Sequence, residues 1–203
     1  MKLYESSRTP NPRRVRIFLA EKGVTVPTEQ LDLANMQHRG EAFSAINPMQ
    51  RVPALVLDDG TAIAESIAIC RYFEGLYPDP PLFGRGALES ALVEMWNRRA
   101  EIHLLFPVAT VFQHLHPGMK PFIDPQVTAW GEANKAPIFK FLRFLDGELK
   151  NRPYIAGDKF TVADITALTA VDFMRVSKLS VPDELTDLRR WRDVVSARPS
   201  AAA

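Results

Sequence analysis

Two dipeptides, Val52-Pro53 and, twelve positions on, Glu65-Ser66, have the residue types and spacing to hold a small ligand. A proline just inside an apolar run cannot donate a ladder hydrogen bond. Val52-Pro53 therefore belongs at a sheet edge, a strand start or a cis turn, where backbone groups are left free. Glu65-Ser66 opens a helical pattern, and the first amides of a helix lack intrahelical partners and favour an anion. Main chain at one end and a helix start at the other suit a small peptide-like ligand. The remaining reactive types are sparse: the hydroxyls of Ser6, Ser7 and Thr9, four histidines and the single Cys70. Cys70 has no Cys-x-x-Cys partner and falls inside a helical pattern, which argues against thiol–disulfide exchange. His114 and His116 lack a third ligand, so no metal is expected, and a helix-end role before Pro117-Gly118 is simpler.

The elements that must position these residues can be read from pattern. Lys2 to Glu5 is a short strand, followed by a polar loop. Asn11-Pro12 is a helix-start signal, with Asn as cap and Pro at the first helical position, and Gly23 ends that helix after Lys22. Val15, Phe18 and Leu19 share its apolar face. Arg13, Arg14 and Arg16 read as a solvated basic face, with attraction of an anionic ligand as the alternative. Thr28 to Leu33 makes a second strand, parallel to the first by a right-handed crossover. Ala34 to Ser44 is a polar loop leading into a short helix. Ala54 to Leu57 and Ala62 to Ala64 flank Asp58-Asp59-Gly60-Thr61 as an antiparallel hairpin, and Ser66 to Leu76 is a third helix.

Pro78 to Gly86 is rich in proline and glycine and reads as a linker. Beyond it the pattern is helical. Leu88, Leu92, Met95, Trp96, Arg99, Ile102 and His103 follow a helical rhythm that Pro107 kinks or divides. A second long helix spans Gln126 to Leu149 with Ile138, Phe141, Leu142 and Leu145 on one stripe, interrupted at Pro137. Thr161 with Asp164 forms a capping box, Phe160 staples to Ile165, and a last helix runs from Asp183 to Ala197. The fold class is thus an α/β N-terminal domain with a four-stranded mixed sheet, followed by an all-α C-terminal domain. Its expected bounds are residues 1–77, a linker at 78–85, and residues 86–203.

Composition excludes several classes. The 25 basic and 24 acidic residues leave a net charge of +1, so no overall field calls for nucleic acid or an anionic membrane. No apolar run reaches the ~20 residues of a membrane span. One cysteine and no signal-like N-terminus lead to a cytoplasmic expectation.

The order of these features, with Val52-Pro53, Glu65-Ser66 and Phe160-Thr161-Val162-Ala163-Asp164, resembles the cytosolic glutathione S-transferases, with their thioredoxin-like first domain. Arg14-Val15-Arg16-Ile17, Leu19-Ala20-Glu21-Lys22 and Asn97-Arg98-Arg99-Ala100-Glu101 are similar to the fungal and bacterial Gtt-type branch. The resemblance implies a cis Pro53, with the Val52 main chain pairing with the cysteinyl part of glutathione. It implies that Ser66 and its helix start hold the γ-glutamyl carboxylate and Glu65 the amino group, while Arg51, and His38 from its loop, approach the glycyl carboxylate. It also implies a homodimer and an apolar electrophile lodged against the helical domain, with Phe106, Phe112, His103 and Tyr154 as candidate lining.

Activation of the sulfur is a separate question. Lowering a thiol pKa by about 2 units takes roughly 2.7 kcal/mol. A helix dipole supplies about 0.3–1 kcal/mol, so a hydrogen-bond donor is required. The loop after the first strand offers Ser7, Thr9 and Asn11 as candidates. The Gtt-type branch instead uses a water held by a histidine and a serine of the first long helix. His103 matches the histidine, but Ala109 stands where the serine would be. The expected function is a glutathione transferase. A non-catalytic glutathione-binding or protein-interaction module, or a glutathione-dependent peroxidase, are the alternatives on the same scaffold.

Overall fold

The computed structural model describes residues 1–203. The chain forms two compact units, Met1–Pro81 together with Pro199–Ala203, and Leu82–Arg198. The last five residues thus belong with the first unit, whereas pattern alone groups them with the helices at 86–203.

In the first unit, β1 (Lys2–Glu5), α1 (Pro10–Lys22) and β2 (Thr28–Gln30) form a strand–helix–strand unit with β1 and β2 parallel. A short α2 (Glu41–Ile46), the hairpin β3 (Ala54–Val56) and β4 (Ala62–Ala64), and α3 (Ser66–Leu76) complete it. The sheet order is β2-β1-β3-β4, with β3 antiparallel to both neighbours. This is the expected mixed sheet. Leu3, Val15, Ile17, Phe18, Leu55, Ile69 and Phe73 are buried and form its core.

Local chemistry accounts for the boundaries. α1 starts at Pro10, with Thr9 in extended conformation as its cap. Asn11 therefore lies inside the first turn and does not cap it, and neither Pro10 nor Pro12 has an N–H that needs an acceptor there. Gly23 ends α1 at φ 65°, its N–H donating to the Ala20 carbonyl (3.1 Å) while Val24 N–H reaches Leu19 (2.9 Å), a Schellman close. β2 is shorter than Thr28 to Leu33 because Asp32 turns the chain: its carboxylate accepts from the Asn35 backbone N–H (3.2 Å) and side-chain amide (2.7 Å). The hairpin closes through Leu57 N–H to the Thr61 carbonyl (2.8 Å), with Gly60 at φ 87°.

The arginines of α1 correct the reading of a solvated face. Arg14 is buried, Arg16 pairs with Glu5 (2.8 Å), and Arg13 donates to the Ala201 carbonyl (3.1 Å).

The second unit contains α4 (Gly86–Ala100), a π turn (Glu101–Leu105), α5 (Phe106–Leu115), α6 (Thr128–Ala133), α7 (Lys135–Leu149), α8 (Val162–Phe173) and α9 (Thr186–Ser196). The first long helix is divided just before Pro107: a π turn, with Phe106 N–H bonded to the Glu101 carbonyl, separates α4 from α5, and Pro107 stands in the first turn of α5, where it needs no intrahelical bond. The buried face of α4 carries Val93, Trp96, Asn97 and Ala100, while Leu88, Leu92 and Ile102 of the anticipated rhythm are exposed. The helix anticipated from Gln126 is two helices broken at Asn134, with Pro137 in the first turn of α7. α9 begins three residues later than Asp183 and buries Leu188, Trp191 and Val195.

α8 is buried nearly throughout. At its start the Asp164 carboxylate accepts from Thr161 N–H (2.9 Å) and O–H (3.1 Å), Ile155 N–H (2.9 Å) and the Trp191 indole (2.8 Å). Burial pushes this carboxyl above its ordinary range, and the four donors oppose that shift.

Candidate functional site

Register brings the loop residues of the first unit together. Tyr4 pairs with Ala54, and Ala54 with Ala64. The chain therefore leaves β1 at Glu5, enters β3 from Val52-Pro53 and leaves β4 into Glu65-Ser66 at one end of the sheet. Ser7, Thr9 and Asn11 follow β1 at that same end.

Val52-Pro53 is cis, as the resemblance implied. Neither the N–H nor the C=O of Val52 is used by the rest of the chain. The segment before it is shaped by Asn47, a buried residue that pattern reading did not single out for a role. Its side-chain amide donates to the Arg51 carbonyl (2.7 Å), its Oδ1 accepts from Met49 N–H (3.1 Å), and its own carbonyl accepts from Gln50 N–H (2.8 Å). Gln50 takes φ 55° and donates from its side chain to Ser44 Oγ (2.9 Å). An Asn before Pro is a turn signal and was the available clue.

Glu65 has φ 67° and ψ 119°, outside the regions a side chain prefers, a geometry that costs of order 1–3 kcal/mol and concentrates at functional sites. Ser66, buried, is the first residue of α3. The first intrahelical bond is Ile69 N–H to Glu65 (3.0 Å), and no side chain caps this end, so the amides of Ser66, Ile67 and Ala68 lack protein partners. An uncapped, half-positive helix start beside free strand-edge groups has the chemistry to take a carboxylate and a peptide backbone.

His38 is buried in a 3₁₀ turn at Gln37–Arg39. Burial first, then the charges of Arg39 and Arg51, hold its imidazole below the ordinary range, which favours the neutral ring. Arg51 itself is exposed. Thr9 Oγ1 donates to the Ser6 carbonyl (2.7 Å), and Asn11 Oδ1 accepts from Arg14 (3.3 Å). Because Pro10 and Pro12 carry no N–H and Arg13 N–H is turned to Thr9 (3.4 Å), Asn11 supplies the one free amide in the first turn of α1.

His103 lies in the second unit on the π turn, exposed, its ring 5.7 Å from Phe141. Phe106 is exposed, Phe112 packs on Phe173 (5.3 Å) and His116 (4.9 Å), and Tyr154 packs on Phe160 (6.0 Å). His114 accepts from Val127 N–H (3.0 Å) and His116 from Gly118 N–H (3.1 Å), so both shape the α5–α6 connection. Cys70 is fully buried, and burial pushes its thiol up to about 12, far from the reactive range.

Comparison with known proteins decides the family. Models of the glutathione S-transferase N-terminal and C-terminal domains match residues 9–76 and 105–199. Glutathione S-transferase 2 of Saccharomyces cerevisiae is 39% identical over 203 residues, 98% of this chain and 87% of that one. The chain belongs to the glutathione S-transferase family.

The solved structure of Gtt2 from Saccharomyces cerevisiae aligns with a TM-score of 0.94 at 39% identity, covering 100% of this chain and 99% of that one. A glutathione S-transferase domain-containing protein of Marinobacter aquaeolei VT8 aligns with a TM-score of 0.95 at 41% identity, covering 98% and 99%. The similarity to the Gtt-type branch drawn from Arg14-Val15-Arg16-Ile17 therefore stands, and the protein is an enzyme of the glutathione S-transferase family, whose cosubstrate is glutathione. No helix of this transferase is long and apolar enough to cross a membrane.

Proposed function

We propose that the enzyme binds glutathione at the end of the first unit's sheet, lowers the pKa of its thiol, and directs the thiolate onto an apolar electrophile. The observation that carries this reading is the pair of unused Val52 backbone groups in line with the uncapped start of α3. Val52 N–H and C=O would pair with the cysteinyl main chain. The Ser66 hydroxyl and the first α3 amides would hold the γ-glutamyl carboxylate, Glu65 its ammonium, and Arg51 with neutral His38 the glycyl carboxylate.

Energetics favour a thiolate donor at α1. The dipole gives about 0.3–1 kcal/mol, and one hydrogen bond to a charged sulfur gives about 1.5–3 kcal/mol, which together reach the roughly 2.7 kcal/mol needed for two pKa units. The Asn11 amide is the leading donor and the Thr9 hydroxyl the second, since Thr9 must give up Ser6 to turn outward. Ser7 is the weakest of the three, its side chain exposed at the loop tip. His103 would act only through a bound water, and Ala109 offers no hydroxyl to share it. In the reaction the thiol proton leaves to solvent, the thiolate sulfur forms the new bond to the electrophilic carbon, and the displaced group departs with the electron pair. Phe106 and the Phe112 cluster are the apolar groups proposed to meet the electrophile, and the active form is proposed to be a cytoplasmic homodimer.

The test is a titration of glutathione thiolate absorbance on the enzyme beside conjugation of an aryl halide. A bound thiol titrating about two units below the free one, with conjugation, is expected. A thiol that titrates as in solution, with no conjugate formed, would overturn the reading.

A further inference from the structure

Both backbone groups of Ser7 are held by side chains from other elements. Its N–H donates to Gln30 Oε1 (2.9 Å) at the end of β2, and its C=O accepts from Arg16 Nη2 (3.1 Å) on α1. Gln30 Nε2 in turn donates to Glu5 Oε1 (2.6 Å), and Arg16 Nη1 to Glu5 Oε2 (2.8 Å). Glu5, the last residue of β1, is 2% exposed. The two oxygens of one buried carboxylate thus each hold one of the two side chains that grip Ser7, and the four residues close a ring.

From this ring we infer that Glu5, Arg16 and Gln30 are positioning residues for sulfur activation: they clamp the Ser6–Thr9 loop, and with it the Asn11 amide that follows, in the geometry that meets the thiolate. The inference rests on the glutathione-activating reading above. Each member has a chemical reason. The guanidinium is a planar fork, so one nitrogen can serve Glu5 while the other serves the Ser7 carbonyl, which a lysine ammonium on a flexible stem does not reproduce. Ionised Glu5 only accepts, so it fixes the Gln30 amide with its nitrogen inward and its oxygen toward Ser7 N–H. A pair that served stability alone needs no such closure, and a buried ion pair is weak evidence for stability in any case. The ring's four hydrogen bonds include no group of Val52 or Ser66.

The experiment compares wild-type enzyme with Arg16→Lys, Gln30→Met and Glu5→Gln. Gln30 is exposed at the sheet edge, so Gln30→Met keeps the test open should a Glu5 variant fold poorly. Three quantities are read: the pH profile of kcat, KM for glutathione, and amide exchange of the Ser6–Thr9 segment. The expected result is a kcat profile displaced upward by about one pH unit, a loss of about tenfold in kcat near pH 6.5 that recovers at high pH, and KM changed less than about twofold. Exchange across the loop should rise by about tenfold or more. Variants whose kcat profile overlays the wild type overturn the inference, as does an unchanged exchange rate. If wild-type enzyme itself leaves the thiol at its solution pKa, the activating reading fails, and the inference falls with it. Faster loop exchange in the variants would still mark the ring as structural.

Discussion

Ser66 is where a single atom should matter most, because its hydroxyl sits at the first position of α3 with no cap competing for the site. In the proposed binding mode Ser66→Ala removes one hydrogen bond to a charged carboxylate, worth about 1.5–3 kcal/mol, so glutathione affinity should fall by about 10- to 150-fold in calorimetry. Glu65→Gln should weaken binding by a smaller factor, since an exposed pair with an ammonium is screened. His38 acts through its protonation. Its folded pKa lies below the unfolded value of 6.5, so as the pH falls the unfolded chain takes up the proton first. The stability it contributes is complete above 6.5 and is lost as the pH falls through the folded value. His38→Gln should therefore flatten the acid side of a urea-midpoint profile below pH 6.5, and a profile identical to wild type would contradict the assignment.

At the scale of elements, Asp164 ties the start of α8 to the Ile155 loop and to α9. Asp164→Asn turns one acceptor into a donor facing N–H groups, and should cost about 3 kcal/mol or more in urea unfolding. Pro10→Ala adds an amide to the first turn of α1, and the thiol pKa on the enzyme should fall further if that turn meets the sulfur. Elements of this kind were legible where their signals are local. Gly23, Asp58-Asp59-Gly60-Thr61, Glu65-Ser66 and Thr161 with Asp164 each mark a boundary through neighbours in sequence, whereas the order β2-β1-β3-β4 comes from pairings that the structure supplies. Arg16 does not read as paired because what draws it is distant: it turns to Glu5 across the strand–helix unit, and no periodicity along α1 reports that. The π turn was equally hidden. Pro107 marks where the first long helix divides, but the wide turn before it, with Leu104 and Leu105 buried, has no signature along the sequence. Ser7 had been noticed for its hydroxyl, but its backbone is the part the structure engages.

For the molecule as a whole, the first unit is completed from the far end of the chain. Arg13 reaches the Ala201 carbonyl, Ser200 is buried and bonded to Glu21, and so both ends of α1 touch residues 199–203. Ser200→Val should loosen this grip, lowering thermal stability modestly while leaving glutathione-binding stoichiometry intact, as scanning calorimetry with and without ligand would reveal. The same arrangement governs how such proteins can be recombined. The helices from Leu82 to Arg198 form a cassette set into the sequence of the first unit between Pro81 and Pro199. An exchange of helices intended to alter the electrophile must therefore be spliced at both junctions. A chimera that simply replaces everything after Pro81 would discard the short peptide on which α1 rests.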